Sequence, residues 1–254
     1  MRYSSIPKKI TKMRHLTTTL LLVLFLFSVQ AQKTADNTLT PKEKADGWIL
    51  LFDGKSTDQW VSPTTGVFPT KGYSIEDGVL VLNKEHGNRG GDIMTKKRYA
   101  NFEFSFDFWV SKKGNNGIKY YYQTKPDAKG SDFKGPEYQI LDDLGHPDAN
   151  LGFFPNCRKL GALYDILPPR GTEVFKGPET WNTGKIVAKN GKVEHWLNGV
   201  KILEYDRFSY VYEVLRDQSK FKNAERFGQF EDGHLLITEH EDLTKFKNLK
   251  VREL

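Results

Sequence analysis

The chain has 254 residues, 13% of them aromatic and 22 of them glycine, with one cysteine, Cys157. This balance suits short strands and tight turns in a single β-sandwich with its own core, and a lone cysteine excludes an intrachain disulfide. The formal charge of +6 reflects 38 basic and 32 acidic residues; five basic and no acidic residues fall within positions 1–31, so the remainder carries only +1, with no basic stripe left for nucleic-acid phosphates.

In chain order, Arg2, Lys8, Lys9, Lys12 and Arg14 precede the apolar run Leu20–Phe27, and Val29-Gln30-Ala31 follows with side chains suited to a cleavage site. This layout predicts a secretory signal peptide over residues 1–31, and with it a location in the periplasm or cell envelope. The run is too short to span a bilayer, so no transmembrane segment is expected after cleavage. An uncleaved anchor is the alternative. Residues 32–46 are polar and without period, which predicts a flexible arm before a single domain over 47–254.

Within that domain, short strands alternate with turn dipeptides. Asp77-Gly78, Asn190-Gly191 and Asn198-Gly199 each separate two strand-like runs, and these pairs tolerate the positive φ angles of type I′ turns. Over Asn101–Val110 the alternation is clearest: Phe102, Phe104, Phe106 and Phe108 share one face, and Glu103, Ser105, Asp107 and Trp109 the other. Further strands are predicted over 48–52, 118–124, 137–141, 161–166, 234–238 and 246–252. One helix is predicted over 209–221, with Val211, Val214 and Leu215 at helical spacing. The expected architecture is all-β, two packed antiparallel sheets with one short helix, and a ligand on a concave outer face.

The stretch Gly135–Asp143 (GPEYQILDD) carries the most chemistry. Alternation sends Tyr138 and Ile140 to the core, so Glu137 and Gln139 share the opposite face, where a carboxylate and an amide suit sugar hydroxyls and Glu137 suits a general base. With Ile118, Tyr120 and Tyr122 in the core, Lys119 and Tyr121 join that face; the opposite parity leaves Tyr120 and Tyr122 outside. Asp107 and Trp109 join as well if their strand is adjacent, Trp109 and Tyr121 offering rings for stacking on a pyranose. Asp142, Asp143, His146 and Asp148 form either a divalent-cation loop or a capped turn. His240, between Glu239 and Glu241, is a second ionisable candidate, and His195 reads as structural. No phosphate-cradling loop, zinc pattern or nucleophile elbow is present, and no cofactor is required by these residues, a divalent metal remaining open.

Several segments together resemble the 3-keto-disaccharide hydrolase domain family of Bacteroidetes: residues 47–60 (GWILLFDGKSTDQW), 91–121, 135–149 (GPEYQILDDLGHPDA), 161–169 (GALYDILPP), 181–199 and 246–254. The resemblance implies a concanavalin-like jelly roll, shaped like the β-glucanases, that acts on 3-keto-glucosides or 3-keto-disaccharides. A C3 ketone acidifies the C2 proton, so a base can start β-elimination of the C1 oxygen, with hydration afterwards. The implied roles are Glu137 as base or substrate ligand, Lys119 beside the enolate, and His146 and His240 as proton carriers; Trp109, Asp107, Tyr121, Gln139 and Asp142 are the candidate sugar contacts. A sugar-binding module without catalysis, or a glycosidase on unmodified glucans using Asp107 or Glu103 as a second carboxylate, are the alternatives. Two departures from the family pattern, Glu239-His240-Glu241 and Phe246-Lys247-Asn248, lead one to expect an altered site rim.

Overall fold

The computed structural model describes Met1 and residues 35–83, 87–124, 134–224 and 226–254, so the expected signal segment falls outside the described residues apart from Met1. In chain order, α1 (Pro41–Ala45) leads to β1 (Ile49–Leu50), β2 (Trp60–Val61), β3 (Tyr73–Glu76), β4 (Val79–Leu82) and β5 (Ile93–Tyr99). Next come β6 (Phe102–Val110), β7 (Asn115–Tyr122), β8 (Glu137–Leu141), β9 (Asn182–Lys189), β10 (Lys192–Leu197) and β11 (Val200–Asp206). α2 (Tyr210–Asp217), β12 (Gly233–Ile237) and β13 (Thr244–Glu253) complete the series. The three Asx-Gly pairs all take left-handed φ, for example 50° at Asn190 and 86° at Gly191, and each closes a hairpin as its chemistry requires.

The strands form two antiparallel sheets in a jelly-roll sandwich. The larger runs β11-β10-β9-β6-β13-β4-β3, with β1 added on β13; the smaller runs β2-β5-β12-β7-β8. The four phenylalanines of β6 are fully buried and meet the inward side chains of the smaller sheet. Phe106 stands edge-on to Tyr138 at 5.4 Å, and Phe102 to Tyr121 at 5.9 Å. Truncating any of these phenylalanines to alanine would cost about 3–5 kcal/mol. His195 sits in this core as a structural residue: its Nε2 pairs with the Tyr120 hydroxyl at 2.8 Å and its Nδ1 with the Gly161 carbonyl at 2.9 Å. Tyr120 in turn meets the Tyr205 hydroxyl at 2.8 Å, so His195 and Tyr120 both have partners in the core.

Three expectations need correcting, and β5 was not expected at all. Of the arm expected to be flexible, residues 35–46 are held in place: Thr40 and Glu43 make a reciprocal cap on α1, and Asn37 is buried, exchanging backbone and side-chain hydrogen bonds with Asn248 and donating 2.7 Å to the Gly78 carbonyl. The strand expected over 161–166 is a turn that lies along the edge of β8. Gly161 N donates to Gln139, Tyr164 N donates to Glu137, and Ala162 accepts from Gln139 before the chain doubles back between Leu163 and Leu167. α2 ends at Asp217 and turns inward through Tyr212 and Arg216, whereas Val211 is 65% exposed. β5 carries no alternating signal because three of its residues span a single position of β12 between His234 and Leu236. Among the described residues no helix is long and apolar enough to cross a membrane.

Two measurements follow from this packing. Replacing Asn37 by alanine strands the Asn248 and Gly78 partners and is expected to lower stability by about 1–3 kcal/mol in urea unfolding; no change would mean that the arm is not docked. Burial drives the His195 pKa from 6.5 down to about 4. Between those values the unfolded chain takes up a proton that the folded chain refuses, so acidification destabilises the fold. Asp143 is pushed by burial from 3.8 up to about 6, so the folded chain holds a proton there and the same acidification stabilises it. Asp143→Asn therefore exposes the His195 loss: its urea midpoint should fall more steeply than wild type from pH 6.5 to 4, and parallel curves would contradict the assignment.

Candidate active site

On the outer face of the smaller sheet, β7 and β8 pair with Lys119 opposite Glu137 and Gly117 opposite Gln139. The core side of β8 is taken by Tyr138 and Ile140, so Glu137 and Gln139 point the other way, as their parity predicts. They form the floor of a cleft of about 140 Å³. Asn115 and Lys119 enter from β7, Lys134 and Gly135 from the segment before β8, Tyr164 from the turn along its edge, Lys220 and Phe221 from the segment after α2, and His240 from beyond β12.

Glu137 is the one carboxylate among the described lining residues. It is 7% exposed, and its Oε2 lies 3.9 Å from Lys119 Nζ. The side chain occupies the space a larger residue would fill at position 117: a Cβ on Gly117 would collide with Glu137 Oε1. Beside it, Gln139 is buried and donates 3.2 Å to Asn115 Oδ1, while its own Oε1 has no protein partner. An orphaned acceptor on the floor of a cleft is a place for a ligand hydroxyl to donate.

The wall opposite Lys119 is built by a charged clamp. Arg158 bonds Asp165 Oδ1 at 2.5 Å and Asp148 Oδ1 at 2.8 Å. Asp165 Oδ2 accepts from the Lys220 backbone N at 2.8 Å. The Lys220 residue as a whole is exposed, but its Nζ sits 4.0 Å from the Tyr164 ring centroid. Desolvation there lowers the Lys220 pKa, with Glu137 acting in the opposite sense. On the rim, Glu239 and Glu241 spend their carboxylates on Arg89, at 3.0 and 2.8 Å, so His240 projects between two acids already paired with a cation. Burial opposes ionisation of Glu239, yet the Glu241 amide and Arg89 outweigh it and hold its carboxyl below the usual range.

The structure thus brings Glu137, Lys119, Gln139 and His240 together and removes the other candidates. Tyr121 has φ of 53° at a bulge where two residues of β7 oppose one of β12; its ring turns into the core and its hydroxyl bonds Ala100 O, while Tyr122 takes the outward place. Asp107 and Trp109 belong to β6, in the other sheet: Asp107 accepts from Thr183 and Asn248, and Trp109 lies under Lys245. Glu103, on the same strand, pairs with Arg252, so neither carboxylate serves as a second glycosidase acid. Asp142 caps the turn after β8 by accepting from Lys113 N and Leu144 N, and His146 caps the short 3-10 helix Pro147–Asn150 through Asp148 N. Among the described residues no cluster of three or more His, Cys, Asp or Glu side chains is placed to hold a metal. Lys247 lies over Trp181 and pairs with Asp36, remote from the rim it was expected to alter. Sequence reasoning missed Lys134, Tyr164, Lys220 and Phe221, which lie outside the strands and α2, and Asn115 at the start of β7; the available signals were the 91–121 and GALYD stretches quoted with the family segments.

Residues 47–252 match the 3-keto-alpha-glucoside-1,2-lyase-like domain. A 3-keto-disaccharide hydrolase of Bacteroides thetaiotaomicron is 34% identical over 235 residues, covering 83% of this chain and 79% of that protein. A crystal structure from Parabacteroides distasonis, assigned provisionally as a glycosyl hydrolase, is 34% identical with a TM-score of 0.75 and covers 87% of this chain and 100% of its own. A second from the same organism, with the same provisional assignment, is 26% identical with a TM-score of 0.61, covering 82% and 99%. With the family match covering residues 47–252, this chain belongs to the 3-keto-alpha-glucoside-1,2-lyase-like domain family.

Proposed function

We propose that the protein cleaves 3-keto-glycosides by removing the C2 proton, eliminating the C1 oxygen and hydrating the resulting enone. The observation that carries this reading is Glu137, the one buried carboxylate among the described residues of the cleft, with Lys119 at 3.9 Å. Direct hydrolysis of an ordinary glycoside uses two carboxyl groups, whereas elimination from a 3-ketone needs one base and one cation near the developing enolate. Glu137 takes the C2 proton, Lys119 stabilises the charge that moves onto the C3 oxygen, and the free oxygen of Gln139 accepts from a sugar hydroxyl. Family membership and the named Bacteroides relative support the substrate class. On the strength of the basic and apolar leader, the same reading takes the protein to be exported to the periplasm or cell envelope.

Aglycone release from purified protein given α- and β-linked 3-keto-glucosides tests the activity directly. Glu137→Gln is expected to lower kcat by about a hundredfold or more, while unfolding near the wild-type temperature. Sugar binding that survives this substitution, with no turnover by wild type in the presence or absence of divalent metal, would instead establish a binding module. Gly117→Ala pushes the carboxylate out of place and should cost about a hundredfold in kcat with the substrate KM changed far less. Full activity in that variant would show that the position of Glu137 is immaterial to catalysis.

A further inference from the structure

Elimination leaves one requirement open: the departing oxygen needs a proton. Among the described lining residues, five groups are able to give one: Lys119, Lys134, Tyr164, Lys220 and His240. Burial raises the Tyr164 pKa and tightens that phenol's hold on its proton. Lys119 is committed to Glu137 across the β7–β8 pair. Lys134 and His240 are exposed on the rim, His240 between two acids that Arg89 holds. Lys220 differs in being fixed. Its Nζ stands 4.0 Å from the Tyr164 ring centroid and 5.2 Å from that of Phe221, and its backbone is pinned through Asp165 to Arg158. It reaches the cleft from the wall formed by Tyr164, and Lys119 reaches it from β7.

We propose that Lys220 is the general acid of the cleavage, giving its proton to the glycosidic oxygen as the C1–O bond breaks; the assignment rests on the elimination proposed above. The step balances as follows. Glu137 takes the C2 proton, and the C–H electron pair passes onto the C3 oxygen beside Lys119. When the enolate collapses, C1=C2 forms, the C1–O pair leaves with the aglycone oxygen, and that oxygen takes a proton from the Lys220 ammonium. The products are an alcohol and the 2-hydroxy-3-keto-glucal, with Glu137 protonated and Lys220 neutral until both exchange with water.

Division of labour between the two lysines follows from their surroundings. Lys119, 3.9 Å from the Glu137 carboxylate, is placed to stabilise charge throughout the reaction. A group that must surrender its proton serves best where desolvation weakens its hold; Lys220 is exposed as a residue, but its Nζ packs against the Tyr164 ring, and the charged groups acting on it include both signs, Glu137 and Asp165 against Arg158 and Lys119. Tyr164 ties this acid to the base as well, since its backbone N donates to the Glu137 carbonyl at 3.0 Å.

Leaving-group dependence tests the assignment. Methyl 3-keto-glucoside expels an alkoxide that needs a proton, whereas the 4-nitrophenyl analogue expels a stable phenolate. Lys220→Met is expected to lose about a hundredfold or more in kcat on the methyl substrate and less than about tenfold on the nitrophenyl one. Lys220→Arg keeps the charge but holds its proton far too tightly, so it should show the same selective loss, whereas a merely electrostatic role would be rescued by arginine. Equal losses on both substrates, rescue by arginine, no loss at all, or an aglycone-selective loss in His240→Ala instead would each overturn the assignment. Wild type that turns over neither substrate would overturn the elimination reading itself, a distinct outcome. Both Lys220 variants should unfold at the wild-type temperature, because the side chain's residue is exposed.

Discussion

The cleft exists because β7 and β8 meet in one register. With Lys119 opposite Glu137 and Gly117 opposite Gln139, the polar side chains of both strands fall on one face and Ile118, Tyr138 and Ile140 on the other. Side-chain direction has a period of two, so a slip by a single residue would bury the carboxylate in the core and expose the tyrosine. The core prevents this slip. Tyr138 packs against Phe106 and donates 3.2 Å to the Trp196 carbonyl, tying β8 to the opposite sheet. The unpaired edge of β8 is occupied by the turn at 161–164, which supplies backbone partners where another strand would otherwise pair.

Around this floor, the walls are made of turns, and a buried ion cluster gives them rigidity. Arg158 links Asp148 near the 3-10 turn to Asp165 beside Tyr164, and Asp165 passes the restraint to the Lys220 backbone. Removing one member of such a cluster leaves a buried charge uncompensated, which is far costlier than losing an exposed pair. Asp165 also holds φ of 63°, a strained value for a residue with a side chain, retained because three polar partners determine it: Arg158, the Lys220 amide and the Cys157 carbonyl.

Legibility in the sequence followed physical cause. Hairpins with Asx-Gly turns, the phenylalanine ladder of β6 and the inward parity of β8 were readable because each rests on a local rule. Which sheet a strand joins is decided by long-range pairing, so Asp107 and Trp109 were assigned to a face that their strand never reaches. At Tyr121 a single left-handed residue reversed the alternation after Tyr120, and a tyrosine gives no hint of that in the way a glycine would. Lys134, Tyr164 and Lys220 arrive from segments without period, where only the folded chain shows which side chains share a space.

The strand order also governs when the molecule can become itself. β12 lies between β5 and β7, and β13 between β6 and β4, so the middle of each sheet is filled by the two strands that follow all the others in sequence. Until those segments arrive, each half of the sandwich presents open edges with unmatched amide and carbonyl groups, and Lys119 and Glu137 lack the neighbour that steadies β7. Closing both sheets with their last strands makes the fold depend on distant pairings, the class of contact that forms slowly and leaves strand edges open to intermolecular pairing meanwhile.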